Sequence, residues 1–252
     1  MNTQKITFYE EISMNAHPSL KTQLYDGWVL RFSNGYTYRA NSVNPIYTST
    51  LPVAEKVSFC EEAYARQNLP SAFKVTDASS AELDNLLAER GYEVVTPTYM
   101  FINPVLPDAP NTGNVITSRC ITPEWRGHFF RLNGVSDPQK IVTASAMMDN
   151  IQHNLVCVQI ESHGEVIACG LCVVERGYVG LYDIVVDSAH RQKGYGYELC
   201  RTLLSEAVKL GAKSAYLQVV SANAPAIALY KKLGYQQLYQ YWYRVKDGRQ
   251  LK

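Results

Sequence analysis

Val185-Val186-Asp187-Ser188-Ala189-His190-Arg191-Gln192-Lys193-Gly194-Tyr195-Gly196, continued by Tyr197-Glu198-Leu199-Cys200-Arg201-Thr202-Leu203-Leu204, decides how this chain folds. Leu181 to Val186 is an apolar, β-branched run that reads as a buried strand. Beyond it, Cys200, Leu203, Leu204, Ala207 and Val208 fall at the spacing of an amphipathic helix. Between strand and helix stand Gly194 and Gly196, in the basic setting of Arg191 and Lys193. Glycines let the backbone bend closely around a ligand, and the first free N–H groups of the helix then point at it. With the positive end of the helix dipole, those donors suit a pyrophosphate.

Two familiar phosphate loops do not match. A Gly-x-Gly-x-x-Gly dinucleotide fingerprint meets Leu199 where its third glycine belongs. A Gly-Lys-Ser/Thr loop is absent. What does match is Arg191-x-x-Gly194-x-Gly196, followed by Asn223-x-x-Ala226-x-x-Leu229-Tyr230-Lys231-Lys232-Leu233-Gly234-Tyr235. These two motifs, in this order, resemble the GNAT N-acetyltransferases over residues 114–246. The resemblance implies an α/β fold with a mixed sheet, in which the first loop cradles the pyrophosphate of acetyl-coenzyme A.

Length and composition leave room for this. At 252 residues the chain makes one large domain or two small ones, and 46% apolar residues supply an ordinary core. Lys+Arg 24 against Asp+Glu 23 leaves a net charge of +1, which gives no support to a nucleic-acid or membrane-surface partner. The N-terminus shows no signal-peptide pattern, and no apolar run approaches the ~18 residues of a membrane span. Cys60, Cys120, Cys157, Cys169, Cys172 and Cys200 are scattered, four of them in apolar runs, and a reduced cytoplasm is the simplest setting. Cys169-Gly170-Leu171-Cys172 lies inside a strand run, where residues three apart face opposite ways. Without a second pair it reads as core rather than zinc, so no metal is expected.

In order, the spacing predicts helices over 8–16, 54–67, 80–90, 123–133, 138–150, 196–210 and 225–233. Strands are predicted over 26–32, 36–40, 72–75, 92–102, 115–120, 155–160, 166–174, 178–186, 215–220 and 238–245, the first two as a hairpin across Ser33-Asn34-Gly35. Prolines 104, 107 and 110 mark a stiff connector over 104–113, dividing residues 1–103 from 114–252. The interval from Val75 to Gly91-Tyr92 echoes that from Val219 to Gly234-Tyr235. Aligned on the glycine, Leu87 stands where Tyr230 stands, and Val43-Asn44-Pro45-Ile46-Tyr47 brings no Gly-x-Gly before helix 54–67. The first half thus resembles the degenerate N-terminal domain of tandem GNAT proteins, with one intact coenzyme site in the chain.

The implied reaction moves an acetyl group directly from a thioester to an amine, with no acyl-enzyme and with acetyl-CoA as cosubstrate. Holding the coenzyme falls to Arg191, Gln192, Lys193, Gly194, Tyr195 and Gly196. By resemblance, Ile184, Val185 and Val186 meet the pantetheine arm where strand 181–186 splays from strand 215–220, and one of their N–H groups polarises the thioester carbonyl. Their side chains also read as plain core. Tyr230 is the expected acid for the departing thiolate, a phenol protonated at neutral pH; a tyrosine packed on its helix is the alternative. Asn223 caps the helix or hydrogen-bonds the pantetheine. Lys232 reaches an adenosine phosphate or serves solubility alone. Asp183 is the expected base, or else a structural acceptor. His190 reads as a neighbour of the phosphates rather than a base. The acceptor is expected to be a small molecule rather than a protein, and the chain a monomer or homodimer. A coenzyme-binding sensor without turnover is the competing reading.

Overall fold

The computed structural model describes residues 3–106 and 115–246. In chain order it contains α1 (Thr3–Ala16), β1 (Lys21–Tyr25), β2 (Trp28–Phe32), β3 (Val43–Pro45), α2 (Val53–Ala65), β4 (Ala72–Thr76), α3 (Ala81–Glu89) and β5 (Glu93–Asn103). There follow β6 (Val115–Ser118), α4 (Pro123–Leu132), α5 (Pro138–Asp149), β7 (Asn154–Ser162), β8 (Glu165–Glu175), β9 (Tyr178–Val186), α6 (Tyr195–Lys209), β10 (Ser214–Val220), α7 (Ala224–Lys232) and β11 (Gln236–Val245). These form a mixed α/β structure in two compact units. The first takes the described residues of 1–99, 220–222 and 239–252, and the second those of 100–219 and 223–238. The expected division gave everything after 113 to the second half. Most of the expected connector, from 107 on, lies outside the described residues.

In the first unit β1, β2 and β3 are antiparallel neighbours, and β3 runs parallel to β4. Tyr241 to Val245 of β11 pair antiparallel with Thr76 to Ala72 on the other side of β4. The hairpin predicted for 26–32 and 36–40 is corrected. Strand β2 pairs instead with β1, across Asp26 (φ 38) and Gly27 (φ 79). Two consecutive positive-φ residues make the two-residue turn whose twist suits a hairpin, and Asp-Gly supplies them. Residues 38–40 form a single 3-10 turn instead of a strand. The Asn41 carboxamide oxygen accepts the N–H groups of Ser33 (2.9 Å) and Gly35 (3.2 Å), fixing that loop.

In the second unit β6, β7, β8 and β9 are antiparallel in sequence order, and β10 joins β9 in parallel. Helix α6 covers one face of this sheet. Its stripe of Leu199, Cys200, Leu203, Leu204 and Ala207 is wholly buried, each leucine contributing about 1.5–3 kcal/mol. The helix ends as its glycine predicts. Gly211 (φ 88) donates to Val208 O and Ala212 to Ala207 O, the paired closure a left-handed residue permits.

The echo between the halves has a structural counterpart. Helix α3 closes through Gly91 with Tyr92 N–H on Leu87 O (2.9 Å), and α7 through Gly234 with Tyr235 N–H on Tyr230 O (3.0 Å). Leu87 and Tyr230 hold the same place in the two closures. Among the described residues, no helix is long and apolar enough to cross a membrane.

Candidate active site

The site grows from a fork. The parallel ladder between β9 and β10 covers Tyr178↔Ser214, Val179↔Ala215 and Gly180↔Tyr216, while β9 runs on to Val186. The expected splay therefore opens after Gly180. On its other side β9 stays paired with β8, but the register shifts between Cys169 and Leu171, which face Val185 and Tyr182. Asp183 and Ile184 are thus the extra residues of a β-bulge, and Asp183 adopts φ 55. Gly170 makes room for it, since a Cβ there would stand 2.6 Å from Ile184 Cδ1.

Asp183 and Ile184 are half-buried, Val185 is buried and Val186 half-buried. Burial, and then the Asp183 charge, pushes the Cys169 thiol up to about 12. Cys172 and Cys200 are likewise raised to about 12 by burial, and all six cysteines are free. Such thiols are poor nucleophiles at neutral pH.

Beyond β9 the chain turns through Ser188–His190, with the Asp187 carboxylate accepting the Ala189 N–H (2.8 Å). That bond chiefly holds the Asp187 carboxyl below its usual range. His190 Nδ1 lies 3.4 Å from the same carboxylate. Arg191 Nε donates to Val186 O at 3.3 Å. Gln192 (φ 61) and Gly194 (φ 92) are both left-handed, and residues 191–194 are exposed. This exposed turn, leading into a helix start, is the candidate anion seat. Helix α6 starts at Tyr195, and its first turn is closed by Tyr197 and Glu198 N–H on Gly194 O. The N–H groups of Tyr195 and Gly196 precede those bonds and point out of the helix start.

The two glycines have different duties. At Gly194 a Cβ would meet nothing within 4 Å, so its need is the left-handed backbone. At Gly196 a Cβ would lie 3.3 Å from Leu229 and 3.7 Å from Val186, so it packs the start of α6 against α7 and β9.

Helix α7 comes to the same place. Asn223 caps it, the carboxamide oxygen accepting Ala226 N–H at 3.2 Å. Lys232 Nζ lies 5.0 Å over the Tyr197 ring, beside the first turn of α6. Tyr230 is buried, its ring edge-on to Tyr235 at 6.0 Å. The Tyr235 hydroxyl is buried without a partner among the described residues. Tyr182 and Tyr216, at the base of the fork, were not singled out in the sequence; only the strand register brings them together.

Comparisons with known proteins give the family and the fold. A family described as "Probable histone acetyltransferase Rv0428c C-terminal" matches residues 3–244. The chain belongs to that family. It is an acetyltransferase of the GNAT superfamily. The "Uncharacterized N-acetyltransferase YobR" of Bacillus subtilis (strain 168) is 28% identical over 94% of this chain and 97% of its own length. A GCN5-related N-acetyltransferase from Kribbella flavida superposes with a TM-score of 0.71 at 15% identity, over 98% of this chain and 96% of that one. A tandem GNAT protein from the clavulanic acid biosynthesis pathway gives 0.63 at 13% identity, over 81% and 74%. At such identities the structures speak for the GNAT fold alone. Among the described residues of this acetyltransferase, no group of three or more His, Cys, Asp and Glu side chains is placed to hold a metal ion.

Proposed function

We propose that this acetyltransferase uses acetyl-CoA to acetylate an amine in one step, with both substrates bound together in the second unit. The observation that carries the reading is the fork, whose open end leads directly to the exposed left-handed loop at the start of α6. An extended, partly apolar arm with a pyrophosphate at one end suits that succession of a strand gap and an N–H cluster. Bound there, acetyl-CoA supplies a thioester: the amine nitrogen bonds to the acyl carbon, the C–S bond breaks, the amine loses a proton and the sulfur gains one.

The chain's own residues divide the work. Gln192 to Gly196 offer backbone donors to the pyrophosphate, and Arg191 and Lys193 add charge. Ile184, Val185 and Val186 offer backbone groups along the fork, one N–H serving the thioester oxygen. Asn223 has its oxygen engaged by Ala226, so its amide NH₂ is the group left for the pantetheine. Lys232, beside the first turn of α6, serves an adenosine phosphate. Tyr230 gives the proton to sulfur, and Asp183, on the bulge, takes the amine's.

We take the acceptor to be a small amine. The family's description names a histone acetyltransferase, so a lysine peptide forms a second arm of the test. Thiol release should be followed with acetyl-CoA against a panel of small amines and one lysine peptide. The expected result is thiol release matched by N-acetylated product from a small amine. Coenzyme binding with no turnover across the panel would make the chain a sensor instead.

A further inference from the structure

Where the ladder between β9 and β10 ends, two aromatic rings close the fork on one face of the sheet. Gly180 and Tyr216 are the last pair. A Cβ on Gly180 would lie 2.6 Å from Tyr216 Cζ and Oη and 2.6 Å from Tyr182 Cε2. Both rings therefore lie over the glycine, which admits them by having no side chain. Their centroids are 6.3 Å apart with planes at 81°, and the Tyr182 hydroxyl donates to that of Tyr216 at 3.1 Å. They are 8% and 1% exposed. Two edge-to-face rings joined at their tips make a stiff wall, because each has few rotatable bonds and neither can turn without breaking the other's contact.

The wall stands at one end of the proposed coenzyme path. Tyr182 is followed directly by Asp183 and Ile184 of the bulge, and then by the strand end that leads to the anion seat. An arm anchored at the loop and threaded into the fork has its acyl end nearest the rings. We propose that Tyr182 and Tyr216 form the floor of the acyl pocket and restrict the transferred group to a short acyl chain, acetyl rather than butyryl or longer. This inference rests on the coenzyme reading above and adds the residues that limit the length of the acyl group. It also gives Gly180 a duty: any side chain there would push the two rings out of place.

The test is a gain of binding, read by calorimetry with free CoA, acetyl-CoA and hexanoyl-CoA. For the unaltered protein, hexanoyl-CoA should bind no more tightly than acetyl-CoA, because the floor leaves its chain in water. Tyr182→Ala should bind free CoA as before but hexanoyl-CoA at least about tenfold more tightly, the scale on which a fitted pocket distinguishes one or two methylenes. If Tyr182→Ala fails to fold by circular dichroism, Tyr182→Leu replaces it, with butyryl-CoA as the probe. A folded variant that shows no gain overturns the floor, as does an unaltered protein that already prefers hexanoyl-CoA tenfold. Failure of free CoA and every acyl-CoA to bind the unaltered protein overturns the coenzyme reading, and the floor with it.

Discussion

Gly194 separates two effects that a single substitution usually mixes. Its φ of 92° is a strained setting for any other residue, at about 1–2 kcal/mol, but no atom lies within 4 Å of where a Cβ would stand. Gly194→Val should therefore fold, somewhat destabilised, while its branched side chain fills the approach to the anion seat. Calorimetry should find acetyl-CoA binding lost in a variant with native circular dichroism; unchanged affinity would take Gly194 out of the seat. Tyr230 invites a different cut. Tyr230→Phe keeps the ring edge-on to Tyr235 and removes one oxygen. If that hydroxyl protonates sulfur, kcat should fall by about 10²–10⁴-fold, the usual worth of a general acid, with little change in coenzyme affinity. A tyrosine that only packs would leave kcat alone, and steady-state kinetics decides between the two.

The end of α1 carries a pH response of its own. His17 follows the helix and is half-buried, its Nε2 shut off from solvent, with Arg31 of β2 donating to the carbonyls of His17, Arg39 and Met14 around it. Burial first, and then the charges of Arg31 and Arg39, lower the His17 pKa to about 3. The unfolded chain binds a proton near pH 6.5 and the folded one does not, so stability is full above that value and declines as pH falls below it. Linkage for this one group gives a loss of about 1.4 kcal/mol at pH 5.5. Urea denaturation at pH 7.5 and 5.5 should show that loss, and His17→Leu should reduce it; an equal loss in the variant assigns the effect elsewhere. At this scale the sequence was readable where periodicity and terminators coincide. Helix α6 has its apolar stripe and Gly211, and α7 has its Asn223 cap and Gly234. The first hairpin is harder to place from sequence because Ser33-Asn34-Gly35 and Asp26-Gly27 both signal turns, and only the second gives the two-residue geometry. Nothing in the residue order announced the bulge at Asp183 or the meeting of Tyr182 with Tyr216. A positive φ at aspartate is set by the neighbouring strand, and the tyrosines meet only through a three-pair ladder.

Across the whole chain, one order of elements occurs twice: helix, three strands, helix, strand, helix, strand, from α1 to β5 and from α5 to β11. Each unit has a parallel strand pair that separates early; in the first, β3 and β4 pair at Val43↔Phe73 alone. The difference lies in what meets the N–H groups that lead into the following helix. In the second unit they open into the exposed loop of Gly194. In the first, the Asp26 carboxylate accepts Thr50 N–H (3.0 Å) and Leu51 N–H (2.9 Å), and the Lys56 ammonium lies 3.2 Å from it. The Leu51 bond is the main reason the Asp26 carboxyl is held well below the usual carboxylate range. An internal anion thus occupies the place an external phosphate would need, and displacing it would strand the buried Lys56 without its partner, a costly change. The first unit also offers Leu87, which has no hydroxyl, where the second offers Tyr230. One coenzyme per chain is the expected stoichiometry. Calorimetric titration of the whole protein with acetyl-CoA should saturate at one equivalent, and Gly194→Val should abolish all of the heat. A second equivalent that survives Gly194→Val would locate coenzyme binding in the first unit, and the Asp26 carboxylate would then not seal it.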